Sequence, residues 1–558
     1  EDLILSDFRK LVDIYPRENL LEVQKALAKV EGVTALVYIQ TCAAEKRRRR
    51  KRGSFVDPDK RMFINPEVCE GCGDCGIQSN CVAILPKDTY LGRKRQIDQS
   101  SCNKDFSCVD GFCPSFVSIE GAVLKKNMPA TLCMPDMNSP RIPSIEKTYN
   151  IVITGVGGTG VVTIGALLAM AAHLEGKGVA VMEMAGLAQK GGAVHIHCRI
   201  AKKPKDISAA RVAYGEAHSL IGGELVVTAG EKTLSLLKRN KTKVVCASNE
   251  ANAGEFALDK DFLLPTDRMR LAISAKVGNK GVDFLDPVTI AKSFLGDSIF
   301  ANVLLLGAAW QKGLVPLSRA AIRRATELNQ AGVEGNLRAF EIGRWVAVDP
   351  TMPMKHIETL EIQTEKFETL PKVVADRVIR LKEYQNKDLA EKYSKLVVEA
   401  EKLDKTLALA VAKSYFKLLA YKDEYEVARL HTKYIKDLLS NEFERYSKPS
   451  FYFAPPLLSK KDENGNIKKR RFGPWIFLVL KFLTKAKALR GTIFDIFSYS
   501  RERKNDIKLI SQYEKDMMRL LPIYSMSNCE LIKEIALLPL DIKGFGHVKD
   551  RSMQDFFS

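Results

Sequence analysis

Residues 69–81 read Cys69-Glu-Gly-Cys72-Gly-Asp-Cys75-Gly-Ile-Gln-Ser-Asn-Cys81, and residues 102–114 read Cys102-Asn-Lys-Asp105-Phe-Ser-Cys108-Val-Asp-Gly-Phe-Cys113-Pro114. Seven cysteines thus fall within 45 residues. Three thiolates at x2 spacing, answered by a distant Cys-Pro, can enclose a cubane iron–sulfur cluster. A short loop turning at Gly71 and Gly73 points the sulfurs inward and faces its backbone N–H groups to the cluster. Counting by threes in the second half gives Cys102, Asp105 and Cys108, a carboxylate where the middle cysteine would be. Zinc sites use two well-separated Cys-x2-Cys knuckles, and a third thiolate directly after the first pair is unusual for them. Disulfides suit small secreted domains, whereas this chain is long and is not expected to carry a signal peptide.

Two halves that each end in a displaced fourth cysteine resemble a bacterial two-cluster ferredoxin, in which the fourth ligand crosses to the other cluster. On that resemblance Cys69, Cys72, Cys75 and Cys113 hold one [4Fe–4S] cluster, and Cys102, Cys108 and Cys81 hold a second. Asp105 is either the fourth ligand of the second cluster or marks an open corner, giving [3Fe–4S], because carboxylate holds iron less firmly than thiolate.

A length of 558 residues calls for three or four domains, and contents of 46% hydrophobic and 27% charged residues are ordinary for globular protein. The most apolar stretch, Trp475–Leu483, is interrupted by Lys481 and too short to span a bilayer, so no membrane association is expected. The five remaining cysteines are scattered, which fits a reducing cytoplasm. A net charge of +19 gathers in two runs, Lys46–Arg52 and Lys468–Arg471. These read as solvated linkers, as a surface for an acidic ferredoxin, or as phosphate binders. Neither has the aromatic interleaving of a single-strand binder, and nucleic acid is not the expected partner.

Four regions follow. Residues 1–52 read as the end of an α/β domain, with a helix over Arg17–Val30, a strand over Val33–Ile39 and a basic linker. A lone helix–strand pair cannot bury both faces, so the polypeptide is expected to be the C-terminal part of a longer one. Residues 53–145 comprise a linker to residue 65, an iron–sulfur region held by its metals in place of an apolar core, and a Pro-rich connector. Residues 146–350 read as a doubly wound α/β domain: strand Asn150–Thr154, helix Val161–Leu174, and strands at Val179–Met184, Val194–Ile200, Leu225–Thr228 and Lys243–Ala247. Residues 351–558 are mainly helical, with long amphipathic segments at Leu370–Glu383 and Ala390–Ala420, and carry no legible chemical motif.

The turn Gly155-Val-Gly157-Gly158-Thr-Gly160 lies between a strand and a helix, where backbone N–H groups and a helix N-terminus can hold a phosphate. The pattern is close to the dinucleotide fingerprint without matching it. Glu183 stands where a ribose-binding acid would, but a second glycine loop, Gln189-Lys-Gly191-Gly192, follows that dinucleotide folds do not require. Nicotinamide or flavin binding and simple packing of a tight turn both remain open, with Gly155, Gly157, Gly158, Gly160, Gly191 and Gly192 as candidate cofactor-binding positions.

Taken together, Thr41-Cys-Ala-Ala-Glu-Lys-Arg-Arg-Arg-Arg-Lys-Arg-Gly53, the two cysteine sets with Ser79-Asn-Cys81, Gly92-Arg-Lys-Arg-Gln-Ile-Asp-Gln-Ser-Ser-Cys-Asn-Lys-Asp105, Gly111-Phe-Cys-Pro114 and the glycine turn resemble the 2-oxoacid:ferredoxin oxidoreductases, nearest their fused indolepyruvate branch. The resemblance implies a multidomain α/β and α+β chain: a two-cluster ferredoxin-like domain, a gamma-type doubly wound domain and a helical C-terminal region of unassigned role. It implies oxidative decarboxylation of indolepyruvate or a related aryl 2-oxoacid with coenzyme A, giving acyl-CoA, carbon dioxide and reduced ferredoxin. The thiamine diphosphate motif Gly-Asp-Gly…Asn is absent. The implied partners are therefore the thiamine diphosphate domains of the same enzyme and an acidic ferredoxin, in a homo-oligomer. The chain alone is expected to be catalytically incomplete, and no catalytic residue is named by the sequence. A different 2-oxoacid, or an NAD(P)H-linked iron–sulfur oxidoreductase, is the alternative.

Overall fold

The computed structural model describes residues 12–125, 134–185, 192–249, 259, 261–351, 369–455 and 468–557. The chain divides into two compact units, Glu1–Val56 and Asp57–Ser558. In the first, a short 3-10 turn at Arg17–Asn19 runs into a helix at Leu20–Leu27. The expected strand at Val33–Ile39 is not formed: the segment is irregular, with Val33, Val37 and Ile39 exposed. A strand needs a neighbour to take its N–H and C=O groups, and none is present among this unit's described residues. The basic run is not a loose linker but a helix, Ala43–Lys51, in which Glu45 pairs with Arg48 at 2.8 Å and Arg49 at 3.0 Å.

The second unit holds fourteen strands among its described residues. The cysteine-rich stretch supplies β1 (Lys60–Ile64), β2 (Ile84–Thr89), β3 (Gly92–Ile97), β4 (Phe116–Glu120) and β5 (Val123–Leu124). The middle of the chain supplies β6 (Thr148–Val156), β7 (Gly178–Ala185), β8 (Ala193–Ala201), β9 (Ser219–Gly222), β10 (Lys243–Ala247) and β11 (Val282–Leu285). The C-terminal region adds β12 (Phe443–Arg445), β13 (Ser450–Phe453) and β14 (Arg470–Phe472).

The six middle strands form one sheet in the order β11-β10-β9-β6-β8-β7. Apolar clusters cover both of its faces. Ile151, Ile153, Ile196 and Ile200 pack against the helices Val161–Leu174 and Ala301–Gln311, while Val152, Leu220 and Val244 pack against Thr266–Val277. The sheet departs from a doubly wound one at its far side. There β8 runs antiparallel to both β6 and β7 and separates the two strands joined by the first helix. The expected strand at Leu225–Thr228 is a helical turn. Glu224 caps it, its carboxylate accepting from Val226 and Val227 N–H at 2.6 Å each, and the strand lies just before it as β9.

The C-terminal segments fold as expected at Leu370–Tyr384, but Ala390–Ala420 is two helices, Lys387–Glu401 and Lys405–Leu419. Asp404 caps the second through Leu407 N–H at 2.7 Å, which ends the first. This region also completes the cysteine-rich one. Residues 60–64, read as linker, are β1, paired with β4; β13 pairs with the other edge of β4 and β14 with β13, placing Ser450 opposite Ser118. The cysteine region has an apolar core after all, shared with Val427, Leu430, Tyr452 and Phe545. Among the described residues no helix is long and apolar enough to cross a membrane.

Candidate metal centre

The loop carrying Cys69, Cys72 and Cys75 turns through Gly71 and Gly73, both at positive φ, into a short helix at Asp74–Ser79. Gly71 is needed for two reasons: its φ is +71°, and a Cβ there would stand 2.2 Å from the carbonyl oxygen of Arg93 on β3. Asp74 then fastens the distant Cys-Pro segment, its buried carboxylate accepting from Phe112 N–H at 2.6 Å. A Cβ on Gly111 would meet the Cys75 Cα at 2.7 Å, so only glycine lets the two backbones approach this closely.

The result is two groups of free thiols. Burial raises the Cys72, Cys75 and Cys113 thiols, the last to about 11, and the named cysteine neighbours of these three all fall within the set Cys69, Cys72, Cys75 and Cys113. Burial also raises Cys108, and its neighbours are Cys81, Cys102 and Asp105. Asp105 itself is exposed, held between Lys104 and Phe106, which both sit at positive φ. Backbone N–H groups already face sulfur: Gly71 donates to Cys69 Sγ at 3.3 Å and Lys104 to Cys102 Sγ at 3.4 Å.

Four neighbouring sulfurs, three of them on buried cysteines and one on the half-buried Cys72, repel one another when ionised, so only a positive core between them lets all four lose their protons. The donor chemistry therefore suits a thiolate-bound metal cluster better than free thiols. Among the described residues no three His, Cys, Asp or Glu side chains are close enough to share a single ion. A four-iron cluster asks instead for one thiolate per iron.

Several residues around the thiols could not be read from sequence, because they come from the C-terminal region. Lys469, drawn inward from the second basic run, donates to the Cys113 carbonyl at 3.2 Å and lies 4.7 Å above the Phe116 ring. It feels Cys113 and Cys75 of one set and Cys108 of the other. Its neighbour Arg471 pairs with Glu120 at 2.6 Å across the sheet, so the run is woven into β14 and its flank. Lys422 donates to the carbonyls of Val68 and Cys69 at 3.0 and 3.2 Å. His431, fully buried, contacts the Pro114 carbonyl through Nε2 at 2.9 Å and Asn65 through Nδ1 at 3.2 Å. The only sequence signal for any of these was the charge of the run at 468–471.

The glycine turn is tied down. Gly157 N–H donates to the Gly192 carbonyl at 2.8 Å, and Asn302 Nδ2 donates to the Thr159 carbonyl at 2.7 Å. A Cβ on Gly155 would run into Val161 at 2.4 Å, while Gly158 and Gly160 have φ of +87° and +91°. The two glycine loops are therefore neighbours, and one N–H that a phosphate would use is already bonded. Gly191 lies outside the described residues, as does most of the second loop.

Comparison with known proteins fits this division of the chain. Residues 150–345 match the family model "Pyruvate ferredoxin/flavodoxin oxidoreductase", and residues 370–558 match a family of unknown function, DUF6537. The indolepyruvate oxidoreductase subunit IorB of Thermococcus kodakarensis is 30% identical over 199 residues, covering 95% of that protein and 35% of this chain. The chain belongs to the 2-oxoacid:ferredoxin oxidoreductase family. A second IorB subunit, from Pyrococcus horikoshii, is 29% identical with the same coverage. A keto/oxoacid ferredoxin oxidoreductase gamma subunit of known structure from Geobacter sulfurreducens is 22% identical and covers 36% of this chain and 98% of that one, with a TM-score of 0.26. The two IorB relatives are named as subunits of an oxidoreductase, and this chain joins its family-matching residues 150–345 to a cysteine-rich region and the C-terminal helices.

Proposed function

We propose that the chain is the electron-transfer and gamma portion of a cytoplasmic oxidoreductase that decarboxylates indolepyruvate or a related aryl 2-oxoacid with coenzyme A, yielding acyl-CoA, carbon dioxide and reduced ferredoxin. The observation that carries it is the pairing of a family-matching domain with two separate thiol groups in one compact unit. Cys69, Cys72, Cys75 and Cys113 would hold one [4Fe–4S] cluster, and Cys81, Cys102 and Cys108 a second, with Asp105 as fourth ligand or open corner. When bound, these clusters supply one-electron transfer. The chain's own part is to exclude water with β1, β4 and the helix Glu424–Glu442, to direct N–H groups at sulfur, and to place the Lys469 charge near both sets. Thiamine diphosphate would belong to partner domains of the same enzyme, and an acidic ferredoxin would take the electrons. The aryl substrate follows the relatives named indolepyruvate oxidoreductase, while the domain's own family description, which names pyruvate, supports another 2-oxoacid as the second reading.

Iron and acid-labile sulfide, measured with low-temperature EPR on protein purified without oxygen, test the cluster part. About eight irons per chain, or seven with a three-iron signal, support it; zinc without sulfide overturns it. Reduction of ferredoxin by this chain joined to the thiamine-bearing part, compared across indolepyruvate, phenylpyruvate and pyruvate, decides the substrate.

A further inference from the structure

A cavity of about 650 Å³ opens between the β2–β3 hairpin and the C-terminal helices, within the range of small-molecule sites. Eight Lys and Arg side chains line it against five Asp and Glu. Three lysines, Lys94, Lys417 and Lys422, surround one carboxylate, Glu70, which they hold down to about 2 against the opposing effect of burial, while burial in turn lowers Lys94 to about 8 and Lys417 to about 7. Lys417 gives its hydrogen bonds to the carbonyls of Pro539, Leu540 and Ile542 at 2.7–3.0 Å. Lys422 gives its own to Val68, Cys69 and Glu70.

Lys94 differs. It is only 7% exposed, and its side chain makes no hydrogen bond among the described residues. The carboxylates it feels, Glu70 and Glu67, are engaged by Lys422 at 2.5 Å and Arg380 at 2.9 Å. The Lys94 Nζ is not among the fully buried atoms left without a partner, so it opens on the cavity, where an anion can reach it. The excess of cationic over acidic side chains leaves the cavity lining net positive, and a phosphate monoester carries between one and a half and two negative charges near neutral pH.

The wall opposite is apolar, built from Phe416, Leu509, Ile542 and Phe545. On the rim, the turn Lys543-Gly-Phe-Gly546 opens the helix Gly546–Phe557, but Glu502 already accepts Gly546 N–H at 3.1 Å. The anion therefore belongs at Lys94 and not at the helix end.

We propose that this cavity binds a phosphate monoester with an apolar or aromatic body, its phosphate on Lys94. Glu70 stands between Cys69 and Cys72, so occupancy alters the charge beside the first thiol set. No cysteine lines the cavity itself.

Phenyl phosphate, titrated calorimetrically into the full chain at low salt with phenol as its neutral counterpart, tests it. Saturable binding at one site, absent for phenol and weakened about ten-fold or more in Lys94→Met, is expected. The variant removes a buried unpaired charge, so its thermal stability should equal or exceed wild type, and iron content measured alongside should not change. Equal affinity in wild type and variant, equal binding of phenol, or no uptake by wild type overturns the proposal. Intact binding on iron-free protein would sink the cluster reading and leave this site standing.

Discussion

At the scale of single residues, charge and steric fit around the thiols make the sharpest claims. Lys469, from the C-terminal region, feels both thiol sets. A positive charge favours the reduced, more negative state of a nearby cluster. Lys469→Met should therefore lower the potentials by an amount on the order of tens of millivolts at an effective dielectric of about 20. An EPR-monitored redox titration reads this, and unchanged potentials at unchanged iron content would refute it. Gly71 makes a steric claim. With Arg93's carbonyl 2.2 Å from where a Cβ would sit and a φ of +71°, Gly71→Ala must move the cysteine loop. It should cost about 1–3 kcal/mol or more, seen as a lower Tm together with lost iron.

At the scale of elements, the helix Glu424–Glu442 is the cysteine region's outer wall. Its His431 fixes the Cys113-Pro114 turn, with Nε2–H donating to the carbonyl and Nδ1 accepting from Asn65. Burial holds this imidazole down to about 4 from an ordinary 6.5. The folded state therefore keeps His431 neutral where the unfolded chain is already protonated. Its contribution is whole above pH 6.5 and is lost as pH falls from 6.5 to 4, up to about 3 kcal/mol. Urea unfolding at pH 7.5 and 5 should show this loss in wild type and a smaller one in His431→Gln; equal losses would show that another group is responsible. Immediately before His431 in the same helix, Leu430 is buried in the shared core. Leu430→Ala should cost about 2–5 kcal/mol and reduce iron retention too, because the cavity opens behind the thiols.

At the scale of the whole molecule, the C-terminal region is part of the candidate metal centre: it contributes β13 and β14 to the sheet, four side chains to the core, and Lys422, His431 and Lys469 around the thiols. A chain ended at residue 369 should lose that cover and most of its iron, as measured by iron content after anaerobic purification; full iron in the truncated chain would show the cover to be dispensable. Much of this protein was legible in sequence because its signals are local. Cysteine spacing marked the cysteine-rich stretch, while the crossed grouping of its thiols came from the resemblance to a two-cluster ferredoxin; Asp74 and Gly111 lie within the motifs that bring Cys113 back, and apolar runs marked β6, β7, β8 and β10 and the helix Val161–Leu174. Other features waited on contacts far apart in the chain. The antiparallel β8 depends on which edge a strand joins, and a period-two pattern is the same in either direction. Whether residues 60–64 were linker or strand depended on β4, more than fifty residues away. The role of residues 370–557 depended on which face of each helix met the thiols, and helical periodicity says that a face is buried without saying against what. Sequence alone determined the chemistry this chain can offer, since thiol spacing and backbone turns are local; tertiary structure decided which distant lysines and histidine surround that chemistry, since burial and charge act through space.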